Sequence, residues 1–163
     1  MKTCILGTGN YENVKAGNTV SITGDGGNAW GYFGPAYKKL APKLETYLPY
    51  AKGLEELKEI KALDEYLLKK KLIEEEYIRS YYEIRLKELD VWNLLDRLEG
   101  KFGEDIILLC HESVEEFCHR RLVADYIELQ TGIYIPELRV GEDGVVEKLS
   151  PICYKKSLQR LMK

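Results

Sequence analysis

The sequence predicts an α/β protein, a single-domain layered fold with a largely parallel central sheet flanked by helices. Three observations carry this. Short apolar runs with strand character alternate with segments of helical periodicity, the pattern of strand-helix-strand units. One run, "DIILLC" (Asp105 to Cys110), is continuously apolar and bounded by charge and turn residues, as a central strand buried on both faces requires. Finally, 163 residues that are 45% hydrophobic and 31% charged suit one ordinary globular domain with a real core, spanning 1–163.

The elements follow in chain order. "CILGTG" (Cys4 to Gly9) reads as a short buried strand ending in a glycine turn, and "NTVSIT" (Asn18 to Thr23) as a second with β-branched residues at alternating places. "GDGGNAWGYFGP" follows, with five glycines and three aromatics, too rich in glycine for regular structure and therefore a loop. Residues 36–100 are mainly helical, with Pro42 and Pro49 expected to interrupt the early part, a further break near Gly53 and Gly100 as a terminator. After the "DIILLC" strand, Glu112 to Gln130 reads as a helix stopped by Gly132. "GIYIPEL" and "GVVEKL" read as short strands joined by a "GEDG" turn. A small helix or tail closes the chain.

Composition excludes some functions. A net charge of -3 argues against broad adhesion to nucleic acid or an anionic membrane, although a local basic site stays open. No stretch is long enough to span a bilayer, and "MKTCILGTGNYENV" lacks the pattern of a signal peptide. A cytoplasmic protein with mostly reduced thiols is the expectation.

The chemistry-bearing residues concentrate in "DIILLCHESVEEFCHRRLVADYI" (Asp105 to Ile127), where both histidines each follow a cysteine. In a parallel sheet, ligands bind beyond the carboxyl ends of the strands, where Cys110 would sit. A helix starting just after it would lower a thiol pKa. Arg120 and Arg121 supply guanidiniums suited to phosphate or carboxylate. These types point to a nucleophilic Cys110, with Glu112 or His119 as acid or base. However, "HESVEEF" has no glycine and three acids, so it is no phosphate cradle. The bland reading makes Cys110 a core residue and places Cys118 with Leu122, Tyr126 and Leu129 on a packed helix face. Two Cys-His dipeptides eight residues apart match none of the common zinc spacings, so no metal ligand and no cofactor is assigned. A site combining two of them with Cys4 or Cys153, and a reversible Cys110–Cys118 disulfide, are the remaining options. In the glycine loop, Gly26 and Gly27 offer backbone amides, and Trp30 and Tyr32 offer rings on which a base could stack. That loop follows a strand and could face Cys110.

"LLCHESVEEFCHRRLVADYI" resembles the signature of the domain-of-unknown-function 488 family: a strand ending in Cys, an aromatic, Glu, then a helix bearing Cys-His-Arg. Cys110, Glu112, Cys118, His119 and Arg120 match, while His111 stands where an aromatic is usual. "GYFGPAYKKLAP" and "LIEEEYIRSYYEIRLKELD" resemble the family's earlier segments more loosely. The resemblance implies a compact α/β domain with a site at the signature, and no established reaction. The function expected is a cysteine-dependent enzyme acting on a nucleotide-like or other phosphate-bearing small ligand. The alternative is a noncatalytic module for a nucleotide, nucleic acid or protein partner, with a structural Cys-His-Arg group.

Overall fold

The computed structural model describes residues 3–163; Met1 and Lys2, part of the stretch read for a leader, lie outside the described residues. Among the described residues the fold is mixed α/β, with five α-helices and a mostly parallel five-stranded sheet. The chain divides into two compact units, one containing residues up to Ala41 together with Leu89–Lys155, the other Pro42–Glu88 with Lys156–Lys163.

The first unit holds the sheet. Its strands are β1 (Ile5–Asn10), β2 (Asn18–Ser21), β3 (Ile106–Cys110), β4 (Glu137–Val140) and β5 (Val146–Leu149), in the order β2-β3-β1-β4-β5. Among the described residues only the β4–β5 pair is antiparallel, and its turn closes with Gly144 N–H donating to the Gly141 carbonyl. The unbroken apolar run behaves as expected: β3 is an interior strand with all five residues buried. Burying each such side chain is worth about 1.5–3 kcal/mol, so this strand anchors the unit. Ile107 and Leu109 pack with Val14, Leu138 and Val140. The strand from "GIYIPEL" begins later than its periodicity suggests, at Glu137, because Pro136 cannot donate to a ladder.

Two helices belong to this unit. α3 (Val91–Phe102) is capped by the Asp90 carboxylate, which accepts from Asn93 N–H. It runs through Gly100 and ends at Gly103, whose positive φ of 86° terminates it instead. α4 (His119–Thr131) stops at Gly132, as expected. Its start differs from the sequence reading by a full loop. Residues 111–118 are irregular, since the Glu116 carboxylate accepts from Ser113 N–H and holds a turn there. Cys118, extended at φ -150°, becomes the cap residue.

In the second unit, α1 (Leu44–Leu57) pairs with α2 (Leu63–Tyr81), which continues into a π-helical turn at Tyr82–Leu86. Neither Pro49 nor Gly53 breaks α1. Pro49 sacrifices one backbone bond, while Gly53 lets α2 approach: a Cβ there would meet Ile73 Cγ2 at 2.6 Å. Among the described residues, no helix is long and apolar enough to cross a membrane.

Candidate functional site

The site lies at the carboxyl ends of β1, β2 and β3, where parallel strands leave a crevice for ligands. Cys110 ends β3 in register with Asn10, the last residue of β1. Asn10 then donates through Nδ2 to the Glu112 carbonyl (3.2 Å), turning the chain across the strand ends. Phe117 anchors the far end of the loop by an edge-on contact with Tyr154 at 5.4 Å. The loop thus doubles back, and Cys118 returns to Cys110, their sulfurs paired. Free thiols were expected for both; Cys4 and Cys153 are free.

Arg120 organises the buried side. Its Nη1 donates to Cys110 Sγ (3.2 Å) and Cys118 Sγ (3.0 Å), while Nε and Nη2 grip the Glu137 carboxylate, Nη2 at 2.6 Å from Oε2. Arg120 is 1% exposed and Glu137 0%. Thr8 donates to Glu137 Oε1 (2.6 Å) and accepts from Arg121 Nη1, which also donates to the Ile135 carbonyl. Arg121 faces Asp125 one helical turn on, at 3.7 Å. Both arginines, expected to reach an anionic ligand, are therefore buried among protein partners.

The histidines part company. His119 Nε2 lies 2.7 Å from the Ile22 carbonyl; a carbonyl only accepts, so Nε2 carries the proton. Complete burial lowers the His119 pKa and favours the neutral ring. His111 Nε2 contacts Glu112 Oε2 at 2.7 Å. Burial opposes a charge on that ring, but the Glu112 hydrogen bond and charge outweigh it and raise its pKa. Burial likewise works against the Glu112 carboxylate, yet the bond from His111 and nearby positive groups hold its pKa down.

The glycine-aromatic loop meets this junction. Trp30 stacks face to face on His111, with ring centres 4.6 Å apart, and stays 57% exposed. Tyr32 turns inward instead, stacking on Tyr11 and donating to the Thr19 and Pro35 carbonyls. Gly26 and Gly27 are turn residues: Gly26 N–H donates to the Thr23 carbonyl and Gly27 N–H to Asp25 Oδ1 (2.8 Å). Asp25, whose other oxygen accepts from Ala29 N–H, fills the position an outside anion would need.

Sequence reasoning missed Asp25, Thr8 and Glu137. Glu137 left one signal, a lone acid inside the apolar "YIPEL" that would otherwise be a plain buried strand.

The family model described as "Domain of unknown function DUF488" matches residues 54–127. The match supports assignment of the chain to DUF488. The matched DUF488 span includes the whole Cys110-to-Arg121 signature and α2, and stops short of the glycine-aromatic loop. No curated protein and no solved structure matches the chain.

Proposed function

We propose that the protein is a binding module for a nucleotide-like ligand, seated at the carboxyl ends of the parallel strands, with its Cys-His-Arg group as the buried foundation. The observation that carries this reading is a contrast in exposure. Trp30 is open to solvent above His111, and Phe33 in the same loop is 81% exposed, while Cys110 and Arg120 lie beneath, sealed. A planar base can reach the rings but not the guanidinium. Stacking a base on such a ring is worth about 1–3 kcal/mol. A phosphate would find Arg120 already neutralised by Glu137, so recognition rests on the rings.

One observation favours a second reading, a cysteine-dependent enzyme on the same ligand. Arg120 Nη1 donates to both sulfurs, and once the pair is reduced that donor would stabilise a Cys110 thiolate. Cys110 would then be the nucleophile and Glu112 or His119 the acid or base.

Thermal melts with nucleoside monophosphates, nucleosides and inorganic phosphate separate these readings. Nucleotides and nucleosides should stabilise the wild type, and Trp30→Ala should lose that shift with its own melting temperature nearly unchanged. Cys110→Ser should keep it. Turnover of the ligand that vanishes in a folded Cys110→Ser would favour the enzyme. Should nothing in the panel stabilise the wild type, the binding reading fails.

A further inference from the structure

The geometry points to a metal site for a divalent, thiophilic ion of the zinc class, held by Cys110 Sγ, Cys118 Sγ, a Glu112 carboxylate oxygen and His119 Nδ1. It concerns the foundation of the site and holds whether or not the rings above bind a ligand.

Four observations support it. One donor atom from each of Cys110, Glu112, Cys118 and His119 lies within 4.8 Å of the others. Zinc bonds of about 2.3 Å to sulfur and 2.0–2.2 Å to nitrogen or oxygen place tetrahedral ligands roughly 3.3–3.8 Å apart. Once the sulfur pair is reduced, the side chains need only settle around an ion. Second, the Cα atoms of Cys110 and Cys118 stand 7.7 Å apart. Disulfide-bonded cysteines usually have Cα atoms about 4.4–6.8 Å apart. An ion between the sulfurs bridges the wider span without moving a strand end toward a helix cap.

Third, the surrounding bonds are those that orient ligands. Metal-bound imidazoles commonly donate their other N–H to a carbonyl or carboxylate, which fixes the tautomer. His119 Nε2 makes such a bond to the Ile22 carbonyl, which turns the Nδ1 lone pair into the ligand. Fourth, a donor already meets the sulfurs. Two thiolates, one carboxylate and a neutral imidazole around a divalent ion leave one negative charge. Arg120, whose own charge is matched by Glu137, still donates through Nη1 to both sulfurs, the hydrogen bond that a metal-bound thiolate accepts. Two thiolates with an imidazole select the zinc class over magnesium or calcium.

On binding, each thiol gives its proton to solvent and forms a metal–sulfur bond; no electrons are transferred. The paired sulfurs must first be reduced. A dithiol reductant of the thioredoxin class gives two electrons and two protons, its own thiols closing to a disulfide, and a reducing cytoplasm maintains the resulting dithiol.

Sequence spacing hid this arrangement. Residues adjacent on regular elements point apart, and the expectation placed Glu112 onward in a helix. The 111–118 loop removes that constraint and folds Cys118 and His119 back over the end of β3.

The test uses the full chain, purified with a phosphine reductant and assayed for metal by elemental analysis. The metal-free chain is then titrated with cobalt(II), whose ligand-field bands report tetrahedral geometry and whose charge-transfer band reports thiolate ligands. A single zinc per chain is expected, with both cobalt signatures in the wild type. Cys153→Ser should keep them, and Cys110→Ser, Cys118→Ser and His119→Ala should lose the tetrahedral spectrum. No cobalt uptake by the reduced wild type overturns the proposal. So does uptake without a thiolate band, which the wild type reports even if the variants fail to fold. A spectrum unchanged in folded Cys110→Ser and Cys118→Ser also overturns it.

Discussion

The two Cys-His dipeptides have the same residues and opposite environments. Cys110-His111 closes a strand, so successive side chains point to opposite sides: the sulfur goes inward and the ring goes out beneath Trp30. Cys118-His119 opens a helix, where cap and first residue both turn toward the core. The His111 ring, 38% exposed, is favoured in its charged form by Glu112, while burial keeps His119 neutral on the Ile22 carbonyl. Residue type names the chemistry available; the element carrying it decides whether it faces solvent or the core.

That contrast can be broken at several points. The largest effect belongs beneath the inward sulfurs. Arg120→Ala strands the Glu137 carboxylate in the core, held by the Thr8 hydroxyl. Removing one partner of a buried pair typically costs about 3–5 kcal/mol. Urea unfolding should register a loss of that size, and a change within about 0.5 kcal/mol would mean that the guanidinium is not buried.

His119→Ala comes next. It leaves the buried Ile22 carbonyl without its donor, which costs about 1–3 kcal/mol. In the same assay His111→Ala should cost about 0.5 kcal/mol or less, as at most surface positions. Equal losses at the two histidines would erase the distinction drawn between the dipeptides.

Gly27→Ala asks whether the loop above His111 is a built turn. Its φ of 93° and the Tyr11 ring, 2.8 Å from where a Cβ would stand, both oppose a side chain. The left-handed backbone alone costs about 1–2 kcal/mol. A neutral result in chemical denaturation would show the loop free to rearrange.

The smallest expected effect is Trp30→Ala, within about 0.5 kcal/mol of wild type in stability. Its consequence belongs to ligand binding. A large drop in stability would make Trp30 part of the core and remove the stacking platform.

By itself the sequence determined the α/β class, the interior placement of Asp105 to Cys110 apart from its first residue, the Gly132 stop and the "GEDG" turn. These depend on local rules: a run of apolar side chains has few places to go, and a glycine at a helix end relieves a backbone that other residues resist. It also marked the segment in which cysteine, histidine, glutamate and arginine meet. Tertiary structure decided what those residues do. The helix begins at His119 and not at Glu112, because a turn between Ser113 and Glu116 competes with helical pairing there. Glu137, 17 positions from Arg120, becomes its counterion because β4 lies beside β1 in the sheet. Spacing along the chain carries no record of that pairing. A buried charge takes whichever opposite charge the sheet brings within hydrogen-bond reach, and the order of strands in a sheet is set by packing the whole core at once.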